Sequence, residues 1–158
     1  MDVFHEWYAH DVGKIYVSQF DNLLGQWLGY PSTTCVHQPT CGQSLVTEAN
    51  GDVYACDHFV YPEYKVGNLT QQPLTEIVLS SKQQQFGLEK SQKLTALCRR
   101  CEFRKLCYGG CPKHRFVSLE NEPNPHNYLC ASYRYFFEQT APYMQAMARQ
   151  IRLHPSAA

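Results

Sequence analysis

Residues 98–112 read CRRCEFRKLCYGGCP, four cysteines spaced Cys98-x2-Cys101-x5-Cys107-x3-Cys111 and closed by Pro112. Hydrophobic packing gives no reason for thiols two or three residues apart on one short run. Thiolates held that close suit a soft metal ion or an iron–sulfur cluster. Four more cysteines flank the run: Cys35, Cys41 and Cys56 before it, with gaps of five and fourteen residues, and Cys130 after a gap of eighteen.

The rest of the chain narrows the chemistry. Lys+Arg and Asp+Glu balance at 14 each over 158 residues. A neutral chain without a basic run gives no electrostatic footing for nucleic acid. No apolar stretch approaches the ~18 residues of a membrane span, so neither nucleic acid nor membrane is expected as a partner. The first residues, MDVFHEWYAHDVGK, carry Asp2, His5, Glu6 and Asp11 where a signal peptide would be apolar. The expected location is therefore cytoplasmic, where dense cysteines more often mean metal than disulfides. Four disulfides stapling a small secreted fold would use the same even count, but the secretory context is missing.

Periodicity predicts an amphipathic helix over 11–28, capped by Asp11, with Val12, Tyr16, Phe20, Leu23, Leu24 and Trp27 on one face and Gly29 and Pro31 ending it. Residues 31–43 read as irregular loop. Alternation in 45–48 and 53–56 about Asn50-Gly51 predicts a β-hairpin. A short helix is expected over 73–80, opened by Pro73. The knuckle over 98–112 is read as turns, with Gly109 and Gly110 letting backbone N–H groups point at sulfur; residues 118–127 read as loop. A helix is expected over about 132–153, broken near Thr140–Pro142, with Tyr143, Met147 and Ile151 on one stripe. The fold class is α+β and loop-rich: a small β-hairpin plus a cysteine knuckle, flanked by N- and C-terminal helices. So little regular structure calls for an external staple, and metal affinity would then contribute to folding.

Two metal readings compete. In one, Cys98, Cys101, Cys107 and Cys111 close a tetrahedral zinc site and Cys35, Cys41, Cys56 and Cys130 a second, giving a zinc-stapled protein-interaction module without a redox role. In the other, the run behaves as ferredoxin runs do: they end in Cys-Pro, and that last cysteine ligates the other cluster. Cys111 then crosses over to Cys35, Cys41 and Cys56, Cys130 completes the set of Cys98, Cys101 and Cys107, and none is left over.

The spacing C-x5-C-x14-C, C-x2-C-x5-C-x3-C and a distant C resembles the SPASM domain, the twin-cluster domain of certain radical SAM enzymes. The words CGQSLVTEANGDVYACDHFV, GNL, CRRCEFRKLCYGGCPKHRF and NYLC look like the anaerobic sulfatase-maturating enzymes, and DVGKIYVSQFD is similar to the segment that joins barrel to SPASM domain there. The resemblance implies two [4Fe–4S] clusters, grouped as above. It implies residues 1–30 as a helical linker from a radical SAM barrel, 31–135 as the twin-cluster domain, and 136–158 as a C-terminal helix and tail. It also implies an auxiliary role in oxidising a sulfatase cysteine or serine to formylglycine, supporting substrate binding and electron transfer. The partners would be the barrel and a sulfatase peptide or unfolded sulfatase. Asp57, directly after Cys56, stands where the family's proposed base lies; an acid beside a cluster ligand would take a proton close to where the electron leaves.

The barrel's C-x3-C-x2-C motif is missing; the nearest approach is Cys107-x3-Cys111-x2-His114. A barrel of about 200 residues or more does not fit either. S-adenosylmethionine is thus expected only in a full-length parent enzyme, and this chain alone is not expected to be active. Arg99, Arg100, Arg104 and Lys105 are expected to offset thiolate charge. His37, His58 and His114 read as surface or core histidines near cysteines, and Tyr108 as a shield against water.

Overall fold

The computed structural model describes residues 1–153; positions 154–158 of the expected tail lie outside the described residues. In chain order the helices and strands are α1 (Asp2–Glu6), continued by a π-helical turn (Trp7–Asp11), α2 (Ser18–Leu28), β1 (Val46–Thr47), β2 (Asp52–Tyr54), β3 (Lys65–Asn68), α3 (Leu74–Val78), α4 (Ser81–Gln92), α5 (Ala96–Arg100), α6 (Arg104–Cys107), β4 (Arg115–Val117), β5 (His126–Asn127) and α7 (Cys130–Leu153). Short 3-10 turns lie at Cys35–His37, Pro62–Tyr64 and Pro112–His114. The chain is α+β, as the sequence pattern indicated. It divides into two compact units: Met1–Thr34 with the segment from Leu129 onward, and Cys35–Tyr128.

The first unit is helical. Phe4, Trp7, Phe20, Leu23, Leu24, Phe137, Met144, Met147 and Ala148 are its buried apolar residues, and the Phe4 ring meets those of Phe20 and Tyr143 edge-on. The helix expected over 11–28 begins only at Ser18. Asp11 instead ends the preceding helical run, its carbonyl accepting from Lys14 and Ile15 N–H, and Gly13 at φ +75° breaks the path. Capping falls to Asp21, whose Oδ2 accepts from Val17 N–H at 2.7 Å. Val12 and Tyr16 are therefore exposed, while Phe20, Leu23 and Leu24 are buried. Gly29 ends α2 at φ +101°, with Tyr30 N–H closing back on the Gly25 carbonyl at 2.9 Å.

The expected break at Thr140–Pro142 does not occur; α7 runs through Pro142. Proline there withholds a donor from the carbonyl four residues back, which belongs to exposed Glu138 and is within reach of water. The Thr140 hydroxyl donates to the Phe136 carbonyl at 2.7 Å.

The second unit carries an antiparallel sheet β1-β2-β3, with Val46 opposite Tyr54 and Val53 opposite Gly67. The hairpin turns at Asn50-Gly51, with Gly51 at φ +84° and Glu48 and Asp52 paired across a three-residue loop. Its core is small: Val53, Ala55, Val66 and Ile77, with Leu45 and Phe86 against them. β3 joins through Asn68, whose Nδ2 donates to Asp52 Oδ1 at 2.7 Å and the Asn50 carbonyl at 3.2 Å. Its Oδ1 accepts from Thr70 N–H and Oγ1. Asn68 is 9% exposed, so Asn68→Ala strands several partners and is expected to cost about 1–3 kcal/mol, read as a lowered denaturation midpoint.

α4 (SKQQQFGLEKSQ) had no counterpart in the sequence reading, for a physical reason. Its buried stripe is Gln83, Gly87 and Lys90, at helical spacing but not apolar. Ser80 caps it, the hydroxyl accepting from Gln83 N–H at 3.2 Å.

Candidate metal centre

That polar stripe holds the loop bearing the first two cysteines. Gln83 Nε2 donates to the Gly42 carbonyl at 2.8 Å and the Ala55 carbonyl at 3.2 Å. Cys41 N–H donates to the Gly87 carbonyl at 3.1 Å. Lys90 Nζ donates to the carbonyls of Cys35 at 2.5 Å and Val36 at 3.1 Å, and the Ser91 hydroxyl donates to the Pro39 carbonyl. A Cβ on Gly87 would sit 2.7 Å from the Cys41 carbonyl oxygen, a backbone atom that cannot swing aside. Gly87→Ala is therefore expected to displace Cys41 and cost about 1–3 kcal/mol as an overpacking change. The checks are metal content and the unfolding midpoint, and normal values of both would remove the argument.

The knuckle is more regular than expected. Thr95 caps α5 by accepting from Cys98 N–H at 3.3 Å, and α6 ends where Tyr108, Gly109 and Gly110 all take positive φ. The carbonyls of this left-handed run turn inward. Arg115 donates to Gly109 O at 3.2 Å, Tyr108 O at 2.8 Å, Gly110 O at 3.3 Å and Lys90 O at 2.7 Å. Asn127 Nδ2 adds a bond to Gly109 O at 3.0 Å. Gly110 N–H was expected to point at sulfur; it donates to the Cys107 carbonyl instead, because the tight turn uses it to close α6.

The eight cysteines form no disulfides; seven of them are half-buried and Cys35 is exposed. Burial pushes the Cys41 thiol up; Cys111 and Cys35 add to the rise, while Lys90 and Arg115 oppose it. Cys56 is pushed up to about 12, by burial first and then by Asp57 and Cys111. Cys111 Sγ also lies 3.8 Å from His58 Nδ1. Cys35, Cys41, Cys56 and Cys111 thus share one electrostatic neighbourhood. Around the other set, Cys98 Sγ lies 3.7 Å from His126 Nδ1, which is also 3.1 Å from Thr95 Oγ1. His37 is buried and held down at about 4 by desolvation and by Lys90.

The expected counter-charges lie on the surface. Arg99, Arg100, Arg104 and Lys105 are all exposed. The cations beside the thiols are Lys90, only 1% exposed, and half-buried Arg115. Burial lowers the Lys90 pKa, and the thiols of Cys41, Cys35 and Cys111 pull it back up. Arg115 is lowered by burial and raised by Cys98, Cys41, Cys107 and Cys111. Among the described residues no carboxylate pairs with either cation. A fully buried lysine without a carboxylate calls for another anion if it stays charged, and ligated thiolates would supply one. The donor set and its surroundings fit an iron–sulfur group.

Asp57 follows Cys56 on an open face, its side chain 61% exposed. Cys56 Sγ donates to Asp57 Oδ1 at 3.2 Å, which holds the carboxyl below the usual carboxylate range. His58 Nε2 lies 4.0 Å from Oδ2, and among the described residues no Lys or Arg pairs with Asp57. Cys56, Asp57 and His58 form the one group of three potential ligand atoms within 4.8 Å of each other among the described residues.

Residues 35–102 match the iron–sulfur cluster-binding domain SPASM. Across nearly its whole length the chain is similar to anaerobic sulfatase-maturating enzymes. It is 44% identical over 150 residues to the serine-type enzyme of Bacteroides thetaiotaomicron, covering 94% of this chain and 36% of that protein. With the cysteine-type enzyme of Clostridium perfringens it shares 32% over 153 residues, 96% of this chain and 41% of that protein. The solved structure of native anSMEcpe with bound AdoMet and Kp18Cys peptide superposes with a TM-score of 0.79 at 33% identity, over 95% of this chain and 41% of that one. The chain therefore spans roughly two-fifths of the length of the relatives it matches. No described helix is long and apolar enough to cross a membrane.

Proposed function

We propose that the chain is the auxiliary twin-cluster part of a cytoplasmic radical SAM sulfatase maturase. Cys35, Cys41, Cys56 and Cys111 would hold one [4Fe–4S] cluster. Cys98, Cys101 and Cys107 would hold the other, with Cys130 as its fourth ligand. Residues 1–30 would lead from the barrel, 31–135 form the cluster domain and 136–158 the C-terminal helix and tail. The observation that carries the reading is the buried cation pair Lys90 and Arg115, set among cysteines and without a carboxylate.

When bound, such clusters accept and pass on single electrons. The chain's own residues do the rest. α4 holds the Cys35–Gly42 loop through Gln83, Gly87 and Lys90. Arg115 and Asn127 fix the turn carrying Cys111. Asp57 presents a carboxylate, free of strong cations, on the face where a substrate radical would give up its proton. The relatives' names and the bound peptide in the solved structure support a sulfatase peptide as substrate, and the relatives' greater length supports the barrel as partner.

Anaerobically purified protein is expected to be brown, with broad absorbance near about 400 nm and about eight irons per chain. A colourless protein with stoichiometric zinc would overturn the cluster reading and establish the zinc-stapled interaction module.

A further inference from the structure

The two buried cations are placed unequally with respect to the cysteines. Lys90 reaches the carbonyls of Cys35 and Val36, on the loop that also carries Cys41, and both cysteines belong to one proposed ligand set. Arg115 binds a different segment, the turn that follows α6. Its guanidinium is locked by four carbonyls, on Tyr108, Gly109, Gly110 and Lys90. The left-handed turn that supplies three of them lies between Cys107, in one set, and Cys111, in the other. A Cβ on Gly109 would stand 2.8 Å from an Arg115 terminal nitrogen and 2.6 Å from Leu94 Cδ2, so the turn closes on the guanidinium with no slack.

We propose that Arg115 is the counter-charge common to both cluster sites and Lys90 that of the Cys35, Cys41, Cys56 and Cys111 site alone, so that these side chains set the two reduction potentials. This rests on the twin-cluster reading. One-electron reduction adds one negative charge to a cluster. A fixed positive charge in a poorly solvated interior stabilises the reduced form and raises the potential. Removing Arg115 lowers both potentials; removing Lys90 lowers one. The shared cation keeps the sites electrostatically matched, so an electron placed on either is held by the same charge.

The test is a redox titration with dithionite of the full chain, reconstituted with iron and sulfide and followed by electron paramagnetic resonance. Signals are assigned with Cys41→Ala and Cys107→Ala proteins. If the unsubstituted chain forms no clusters, the functional reading fails and this inference with it; if clusters form, only the inference is at stake. Arg115→Gln is expected to change the reduced-to-oxidised ratio about tenfold or more at fixed potential in both clusters, a shift of 59 mV per tenfold for one electron. Lys90→Gln is expected to do so in one cluster only. Lys93→Gln, exposed and ion-paired to Glu89 at 2.7 Å, should leave both unchanged. Equal shifts in both clusters from Lys90→Gln, or a shift confined to one from Arg115→Gln, would overturn the assignment. If Arg115→Gln loads no iron, Arg115→Lys decides. Loading with near-native potentials supports the charge; failure to load overturns it in favour of the carbonyl bonds alone.

Discussion

Asp57→Asn, in a protein that joins this chain to a radical SAM barrel, is expected to lower formylglycine formation by roughly 10²–10⁴-fold, the range a positioned general base contributes. Iron content should not change. Asparagine keeps the size of the side chain, and Asp57 is largely exposed, so no buried partner is stranded. What is lost is only the capacity to take a proton. The assay pairs product formation on a sulfatase peptide with iron analysis of the same preparation. Iron loss would make Asp57 a structural support of Cys56; unchanged turnover would put the base elsewhere.

Cys111→Ala is expected to lower the iron content from about eight to about four per chain, and the surviving cluster should be the one on Cys98, Cys101 and Cys107. The reason is the crossover: Cys111 follows the knuckle in sequence but its sulfur keeps company with His58 Nδ1 at 3.8 Å and with the thiols of Cys41 and Cys56. Double substitutions make the grouping measurable through non-additivity. Adding Cys56→Ala to Cys111→Ala should remove no further iron, whereas adding Cys98→Ala should empty the chain. The reverse pattern, with Cys98→Ala silent after Cys111→Ala, would place the four knuckle cysteines on one centre.

How much was legible in the sequence depended on whether the signal was local. The hairpin about Asn50-Gly51 was, because a tight turn between alternating residues is a property of a few neighbours. Gly29 likewise ends α2 at a left-handed angle. The start of α2 was not: Val12 and Tyr16 continue the apolar spacing across Gly13, and only the backbone reversal there separates them from the buried face. β3 escaped notice because KVGN is too short to alternate, and its place depends on Asn68 reaching back to residues 50 and 52.

The sequence by itself determined the chemistry of the site. Cysteine number and spacing point to soft-metal ligands and a family likeness, because ligand chemistry is a property of side chains. The family resemblance pointed to Asp57, directly after Cys56. Which cations are buried was decided only by the tertiary structure. Arg99, Arg100, Arg104 and Lys105 are nearest to the cysteines along the chain, yet short helices turn them to solvent. Lys90 comes from a helix whose buried stripe is polar, and Arg115 from the first residue of β4. A charge acts through distance in space and through the poor solvation of a buried site, and neither is written in residue order.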